Sequence, residues 1–283
     1  MKDSPIVDQL DVVVANHAVD EVLVALPIDR HGPLVHSIVL RCEEQGITVR
    51  LQTEISKLRT ARSYLDDLEG LPVLTIQSGP QEGWQLLLKR WIDIIVSGIL
   101  LIILSPLFLL VALLIKRDSP GPVFFAQNRV GLNKRRFKIL KFRTMREGSE
   151  QQQDTLEHLN EAEGPVFKIK NDPRITPLGL FLRRFSIDEL PQLINVLKGD
   201  MSLVGPRPLP ERDVNRINKQ WHKRRFSIKP GITCLWQVNG RSTIGFNEWV
   251  RMDLDYIDKW SLGLDFKILI MTIPAVFRGP GAY

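Results

Sequence analysis

The chain has 283 residues, 38 Lys/Arg against 32 Asp/Glu for a formal charge of +6, and two cysteines. That length supports two modest domains with real cores. Cys42 and Cys234 lie far apart without CxxC spacing, which fits reduced cytosolic thiols better than a disulfide framework. Residues 1–20 hold Asp3, Asp8 and Asp11 and no apolar core, so no secretory signal is expected there. Residues 1–80 are acidic, with seven Lys/Arg and twelve Asp/Glu, and read as α/β. "VDQLDVVVANHAVDEV" has helical spacing of apolar residues and "VLVALP" is a short apolar strand. "PLVHSIVLRCEEQG" predicts a helix that starts at a proline and closes at Gly46. "ITVRL" and "LPVLTI" predict two further strands, and the rhythm suggests a parallel sheet. No G-x-G-x-x-G follows a strand, so no dinucleotide is expected there. "QSGPQEGW", 77–84, reads as a turn-rich linker.

Next comes "KRWIDIIVSGILLIILSPLFLLVALLIKR". Its uncharged part, Ile94 to Ile115, has 22 residues. As a straight helix it measures about 33 Å, against a bilayer core of about 30 Å. Two features point away from a simple span. Lys89 and Arg90 flank one end while Lys116 and Arg117 flank the other, and basic flanks mark the cytoplasmic side. Ser105-Pro106 sits near the middle, where proline removes a backbone donor and breaks or kinks the helix. The preferred reading is a re-entrant helical hairpin; a kinked single span is the alternative.

Beyond it, "DSPGPVFF" predicts a turn and an aromatic strand. "RVGLNKRRFKILKFRTMR", Arg129 to Arg146, holds eight Lys/Arg and no acid, and without it the chain carries −2. Anionic lipid headgroups and phosphate ligands are the expected partners. Nucleic acid, the rival for any basic patch, is not expected, because an apolar membrane segment abuts the run. Residues 147–165 are polar and acidic and read as a loop or an exposed helix; 172–200 read as helical in two pieces and 211–226 as a third helix. "FNEWVRMDLDYIDKW" is amphipathic, with Trp249, Met252, Tyr256 and Trp260 forming a packing stripe. "DFKILIMTIPAVFRG" is apolar, but ten residues from Ile268 to Phe277 are too few to span.

The chemistry concentrates in "RRFSIDELPQLINVLKGDMSLVGPRP". Asp188 and Glu189 are adjacent. With Asp188 as N-cap, Pro191 falls at the third helical position, where no intrahelical donor is lost. That location favours the ionised carboxylate, and the same helix end attracts phosphate. An Asp there also reads as a plain cap. Cations surround the motif: Lys141, Arg143 and Arg174 upstream, Arg183 and Arg184 just before it, and Arg207 after Gly205 in Pro206-Arg207-Pro208. A carboxylate nucleophile facing a phosphate needs such cations to cancel repulsion.

Residues 89–283 resemble the monotopic phosphoglycosyl transferases, the bacterial sugar transferase family. The resemblance rests on "KRWID", the Ser105-Pro106 break, "GPVFFAQNRVG", "KFRTM", "DPRITPLG", "SIDELPQLINVLKGDMSLVGPRP", "KPGITCLWQVNGR" and the closing "GPGAY". It implies a re-entrant membrane helix over 81–117, including the linker, and a mostly helical α+β catalytic domain over 118–283. It implies transfer of a hexose 1-phosphate, glucose first and galactose next, from a UDP-sugar to polyprenyl phosphate, with release of UMP. Asp188 inherits the role of nucleophile and Glu189 that of a Mg²⁺ ligand. Arg207 and its flanking prolines, Pro206 and Pro208, inherit nucleotide binding. Lys141, Arg143, Arg174 and Arg184 are expected to grip phosphates, with Gln237 and Arg241 in supporting roles. A bacterial inner-membrane location on the cytoplasmic face, anionic phospholipid contact and a homodimer fit the same picture. Cys234 stands where the family has glycine, and a lone Cys there reads as packing. Residues 1–80 resemble only the latter part of the nucleotide-fold-like domain of larger members, a partial Rossmann-like unit, so the chain is expected to be a shortened form. The competing reading from another class is a catalytically silent membrane scaffold, which the intact Asp188-Glu189 pair opposes.

Overall fold

The computed structural model describes residues 5–52, 63–68, 71–76, 83–153, 155–162, 164–169, 171–240 and 244–277. The chain divides into two compact units. The first comprises residues 1–81, 132–135 and 218–228; the second comprises 82–131, 136–217 and 229–283.

In the first unit, α1 (Pro5–Asn16), β1 (Glu21–Val24), α2 (Ile28–Gln45) and β2 (Thr48–Gln52) follow the expected order. Val7 and Val14, seven residues apart on α1, join Val35, Ile38 and Cys42 of α2 and Val49 and Leu51 of β2 in one buried cluster. α2 starts before Pro33 and is kinked at His31; it ends at Gly46, whose left-handed φ of 71° closes the helix as expected. β3 (Ser63–Leu68) and β4 (Leu71–Ile76) complete a sheet of order β1-β2-β4-β3. The sheet is mixed, not parallel as expected. β1 and β2 are parallel, but β4 runs antiparallel to both β2 and β3. Two residues between β3 and β4 are too few for a parallel crossover, which takes a dozen or more. β3 escaped the sequence reading because "SYLDDL" carries adjacent aspartates, which are depleted in strands. The linker at 77–82 and the "GPGAY" terminus lie outside the described residues.

The second unit opens with two helices, α3 (Trp84–Ile103) and α4 (Ser105–Asp118). They meet at Leu104 with a bend of 60°. Among the described residues, no single helix is long and apolar enough to cross a membrane; this bent pair passes by length and composition together. The break stands at Ser105-Pro106, where Pro106 opens α4 and Ser105 Oγ donates to Ile102 O at 2.8 Å. The arms form an open elbow rather than antiparallel limbs. The first pair of basic flanking residues does not present free charge. Lys89 Nζ is buried and donates to Asp265 Oδ2 at 2.5 Å and to Val204 O at 3.1 Å.

β5 (Phe124–Val130) and β6 (Arg136–Phe142) pair antiparallel, and β8 (Leu209–Pro210) adds to the β5 edge. α5 (Pro177–Arg184) and α6 (Gln192–Lys198) are the two expected helical pieces. Short β7 (Ser202–Val204) and β9 (Gly231–Thr233) are parallel. A Cβ on Gly205 or on Gly231 would collide with the facing backbone, so the close approach of these two chains demands glycine at both. The helix expected over 211–226 is replaced by α7 (Glu211–Asn215) and a separate 3-10 stretch at Gln220–Ser227. α8 (Leu235–Asn239), α9 (Phe246–Asp258) and α10 (Leu262–Phe277) finish the chain. On α9, Trp249 and Tyr256 are buried as the stripe predicts. α10 buries Ile268 and leaves Phe266, Ile270 and Ile273 exposed.

Candidate active site

Asp188 and Glu189 lie in a 3-10 turn, Ile187–Glu189, between α5 and α6. The expected N-cap role of Asp188 is not what forms. α6 starts at Gln192 with Pro191 in the cap position, and no side chain caps it. Pro191 has no N–H for an i→i−4 bond, so the chain closes 3-10 bonds from Glu189 N to Ser186 O and from Leu190 N to Ile187 O instead. Ser186 adopts a left-handed φ of 56°, a conformation costly for a residue with a Cβ. This turn carries both carboxylates inward: Asp188 is 6% exposed and Glu189 is half-buried.

Three devices fix the turn against its neighbours. Asn195 of α6 reaches β6, accepting from Leu140 N at 2.9 Å and donating to Lys138 O at 2.7 Å. Arg90 of α3 closes the other end of α6, donating to the carbonyls of Val196 and Leu197 at 2.6 and 2.7 Å. Phe142, Leu182, Val111 and Ile115 form a buried cluster against which Ile187 packs. With α6 stitched to β6, Lys141 comes to the carboxylates. Its Nζ donates to Glu189 Oε1 at 2.7 Å and lies 3.7 Å from Asp188 Oδ2. Arg207 closes Glu189 from the other side, with Nη1 to Oε2 at 3.1 Å and Nη2 to Oε1.

The two adjacent carboxyls therefore behave oppositely. Burial pushes Asp188 above the ordinary aspartate range; Lys141 opposes this and Glu189 adds to it. Burial also acts on Glu189, but Arg207 and Lys141 outweigh it and hold that carboxyl well below its usual value. Burial alone would lower Arg207, and Glu189 overcomes it, so its guanidinium stays charged. Glu189 is clamped, while the ion pair of Asp188 among the described residues is the looser one with Lys141 at 3.7 Å. Adjacent carboxyls pushed apart in this way are the arrangement that separates chemical roles.

The expected cations divide. Lys141 and Arg207 meet the pair. Arg143 does not: its guanidinium donates to the carbonyls of Ser119, at 2.7 Å, and Pro120. Arg174 is tied to Asp172 by Nε at 2.8 Å and Nη2 at 2.5 Å, and to Ser149 O at 3.0 Å. Arg184 is exposed and lies over the Phe185 ring; Arg183 takes its expected place, donating from Nε to Thr144 Oγ1 at 2.9 Å beside Asp188. The sequence held the signal: Arg183 is four residues after Gly179, the position where a Cβ would strike Thr144, so both share the inner face of α5. Arg129 was also passed over. Strand alternation sets Phe125, Gln127 and Arg129 on one face of β5, with Lys141 across from Phe125. Arg129 donates to Pro208 O at 3.0 Å, and burial with Arg207 nearby lowers its pKa to about 10. Pro206 and Pro208 thus serve through their carbonyls, Pro206 O accepting from Gly231 N. Gln237 accepts from the Cys234 thiol at 3.0 Å. Arg241 lies outside the described residues.

Arg129, Lys141 and Arg183 line a cavity of about 390 Å³, with Phe124, Phe125 and Phe167 supplying apolar wall. Among the described residues no group of three or more His, Cys, Asp or Glu is gathered to hold a metal. A Mg²⁺ held by the two adjacent carboxylates would share its shell with substrate phosphates and water rather than sit in an all-protein cage, and Glu189 would have to exchange contacts with Lys141 or Arg207 for it.

Residues 84–279 match the family described as bacterial sugar transferase. The chain belongs to that family. It is 41% identical over 268 residues to the galactosyl transferase CpsE of Streptococcus agalactiae, covering 93% of this chain and 59% of that protein. It is 39% identical over 201 residues to the exopolysaccharide production protein ExoY of Rhizobium meliloti, covering 69% and 88%. The UDP-glucose:undecaprenyl-phosphate glucose-1-phosphate transferase of Escherichia coli is 36% identical over 260 residues, covering 89% of this chain and 53% of that protein. The chain therefore spans somewhat over half the length of two of these relatives and most of the third.

Proposed function

We propose that the protein transfers a hexose 1-phosphate from a UDP-sugar to undecaprenyl phosphate, through a covalent adduct on Asp188. The observation that carries this reading is the buried Asp188, held only loosely by Lys141, beside a Glu189 already neutralised by Lys141 and Arg207. An Asp188 oxygen attacks the sugar-bearing phosphorus; the bond to the bridging oxygen breaks and UMP leaves. An oxygen of undecaprenyl phosphate then attacks the same phosphorus and displaces the carboxylate, giving undecaprenyl-diphospho-sugar. Lys141, Arg183 and Arg129 face the charge of the diphosphate in a site where burial strengthens each interaction. Glu189 positions Lys141 and Arg207, and with Asp188 it is the residue to hold Mg²⁺, which when bound supplies further positive charge against the diphosphate. The hexose is glucose in our reading, with galactose next; the names of the relatives include both.

The lipid substrate asks for a membrane surface. α3 and α4 leave Leu87, Trp91, Ile95, Ile99, Ile102, Leu109 and Leu113 exposed, with Ile102 at 76%. An apolar strip of that length is a membrane-contact signature. The elbow then enters and leaves one leaflet, on the cytoplasmic face of the bacterial inner membrane. Cysteines introduced as Trp84→Cys and Arg117→Cys should both be labelled from the cytoplasm; labelling from opposite sides would make the elbow a true span. For the chemistry, UDP-glucose, undecaprenyl phosphate, Mg²⁺ and detergent-solubilised protein should release UMP, and Asp188→Asn should release none. Wild-type turnover in that variant would remove Asp188 from its role.

A further inference from the structure

A transferase of this kind has to distinguish hexoses that differ at one hydroxyl, and the groups described so far do not. Lys141, Arg129, Arg183 and Arg207 are cations suited to phosphate, common to every nucleotide sugar. A sugar reader must instead be a hydrogen-bonding group with an atom left unpaired, facing the cavity that Lys141 and Arg183 line.

Asp213 has these properties. It sits on α7, five residues after Pro208, and lines the same cavity as Lys141 and Arg183. It is 4% exposed, and its Oδ1 is enclosed without a hydrogen-bond partner. An enclosed carboxylate oxygen left without a partner costs about 1–3 kcal/mol or more, so its retention calls for a reason. Its charged neighbours Arg129, Arg212 and Arg216 oppose the effect of burial, yet they leave Oδ1 without a hydrogen bond. Arg212 and Arg216 both donate to Glu157, and Arg129 donates to Pro208 O. Arg129 has both Glu189 and Asp213 among its charged neighbours, so one guanidinium links Asp213 to the clamped member of the carboxylate pair. Burial pushes Asp213 up to about 6, which still leaves it ionised and an acceptor at neutral pH.

A negative acceptor repels the diphosphate, so it must face an uncharged, donor-rich part of the substrate. The sugar is attached to the phosphorus that Asp188 attacks, whereas the base lies beyond a second phosphate and a ribose. We infer that Asp213 reads the donor sugar: its carboxylate accepts a hydrogen bond from one ring hydroxyl of the transferred hexose and so sets which hexose is taken. The inference rests on the sugar-phosphate transfer proposed above. It gives the cavity a division of labour, with β5, β6 and α5 holding phosphate and α7 holding sugar.

The test measures kcat/KM for UMP release with UDP-glucose, UDP-galactose and single-deoxy UDP-glucose analogues, in the wild type, Asp213→Ala and the isosteric Asp213→Asn. Thermal unfolding of each variant reports folding, and Asp213→Asn serves if the alanine variant does not fold. The expected loss for the accepted hexose is about 10–100-fold, the effect of losing a charged hydrogen bond. One deoxy analogue should be poor with the wild type and no poorer with the variants. UMP should bind wild type and variants alike. An equal loss across every donor, no loss at all, or weakened UMP binding would overturn the assignment. A wild type that releases UMP from no UDP-sugar would instead overturn the transfer reading itself, and the inference with it.

Discussion

Two sets of basic residues in the second unit are of the same types and do opposite work. Lys141, Arg207 and Arg183 surround Asp188 and Glu189 with charge that a substrate phosphate can share. Arg143 and Arg174, at the bracing end of the comparison, donate to Ser119, Pro120, Ser149 and Asp172, so they hold loops. Buried arginine is therefore no guide to phosphate binding by itself. What decides is what its fork already holds: loop carbonyls for Arg143, Asp172 for Arg174, and the site carboxylate Glu189 for Arg207.

That contrast can be broken from either side. The largest effect is expected at Arg207. Arg207→Met leaves Glu189 with Lys141 alone, and UMP release should fall by about 10²–10³-fold in kcat/KM, the scale of losing one preorganised charge. A change of less than threefold would show that the clamp is idle. Next comes pH. Asp188 must be ionised to attack, and its pKa is raised chiefly by burial, so the rate is lost as pH falls through that raised value. The acid limb of kcat/KM should stand above the ordinary aspartate value of about 3.9. Lys141 opposes the rise, so Lys141→Met should move the limb higher still, whereas Arg174→Met should leave it in place. A limb unmoved by Lys141→Met would dissociate Lys141 from the nucleophile.

Smaller effects belong to the bracing end. Arg174→Ala should lower stability by about 2–4 kcal/mol, because it strands Asp172 and the carbonyl of Ser149, as read by denaturant unfolding. Its rate per folded molecule should stay within about threefold. Arg184→Ala, on the exposed face of α5, should change neither by a measurable amount.

How much was legible follows the range of the interactions. Signals carried by neighbours in the chain read well. Pro106 broke the apolar segment where expected, Gly46 ended α2, and the Trp249–Tyr256 stripe turned inward. The carboxylate pair and two of its cations were also visible, because the motif around them is dense. Long-range commitments were not. Lys89 and Arg90 looked like membrane flanks, and only the fold reveals that they hold Asp265 and the end of α6. Asn195, inside "LINVL", gives no local sign of tying α6 to β6, yet that tie brings Lys141 to Glu189. The cap assignment for Asp188 failed for a local reason: Pro191 permitted a 3-10 turn as well as an early helix start, and the turn is what buries both acids. In the first unit the hairpin of β3 and β4 reversed a strand direction that a rhythm of elements does not encode.

The central claim is that a loosely held carboxylate beside a neutralised neighbour becomes the carrier of a phosphosugar. Incubating the protein with a UDP-hexose and no lipid acceptor, then weighing the intact chain, tests it directly. The account predicts a gain of one hexose phosphate, absent in Asp188→Asn and discharged on adding undecaprenyl phosphate. A chain that never gains that mass while lipid-linked sugar still accumulates would contradict it.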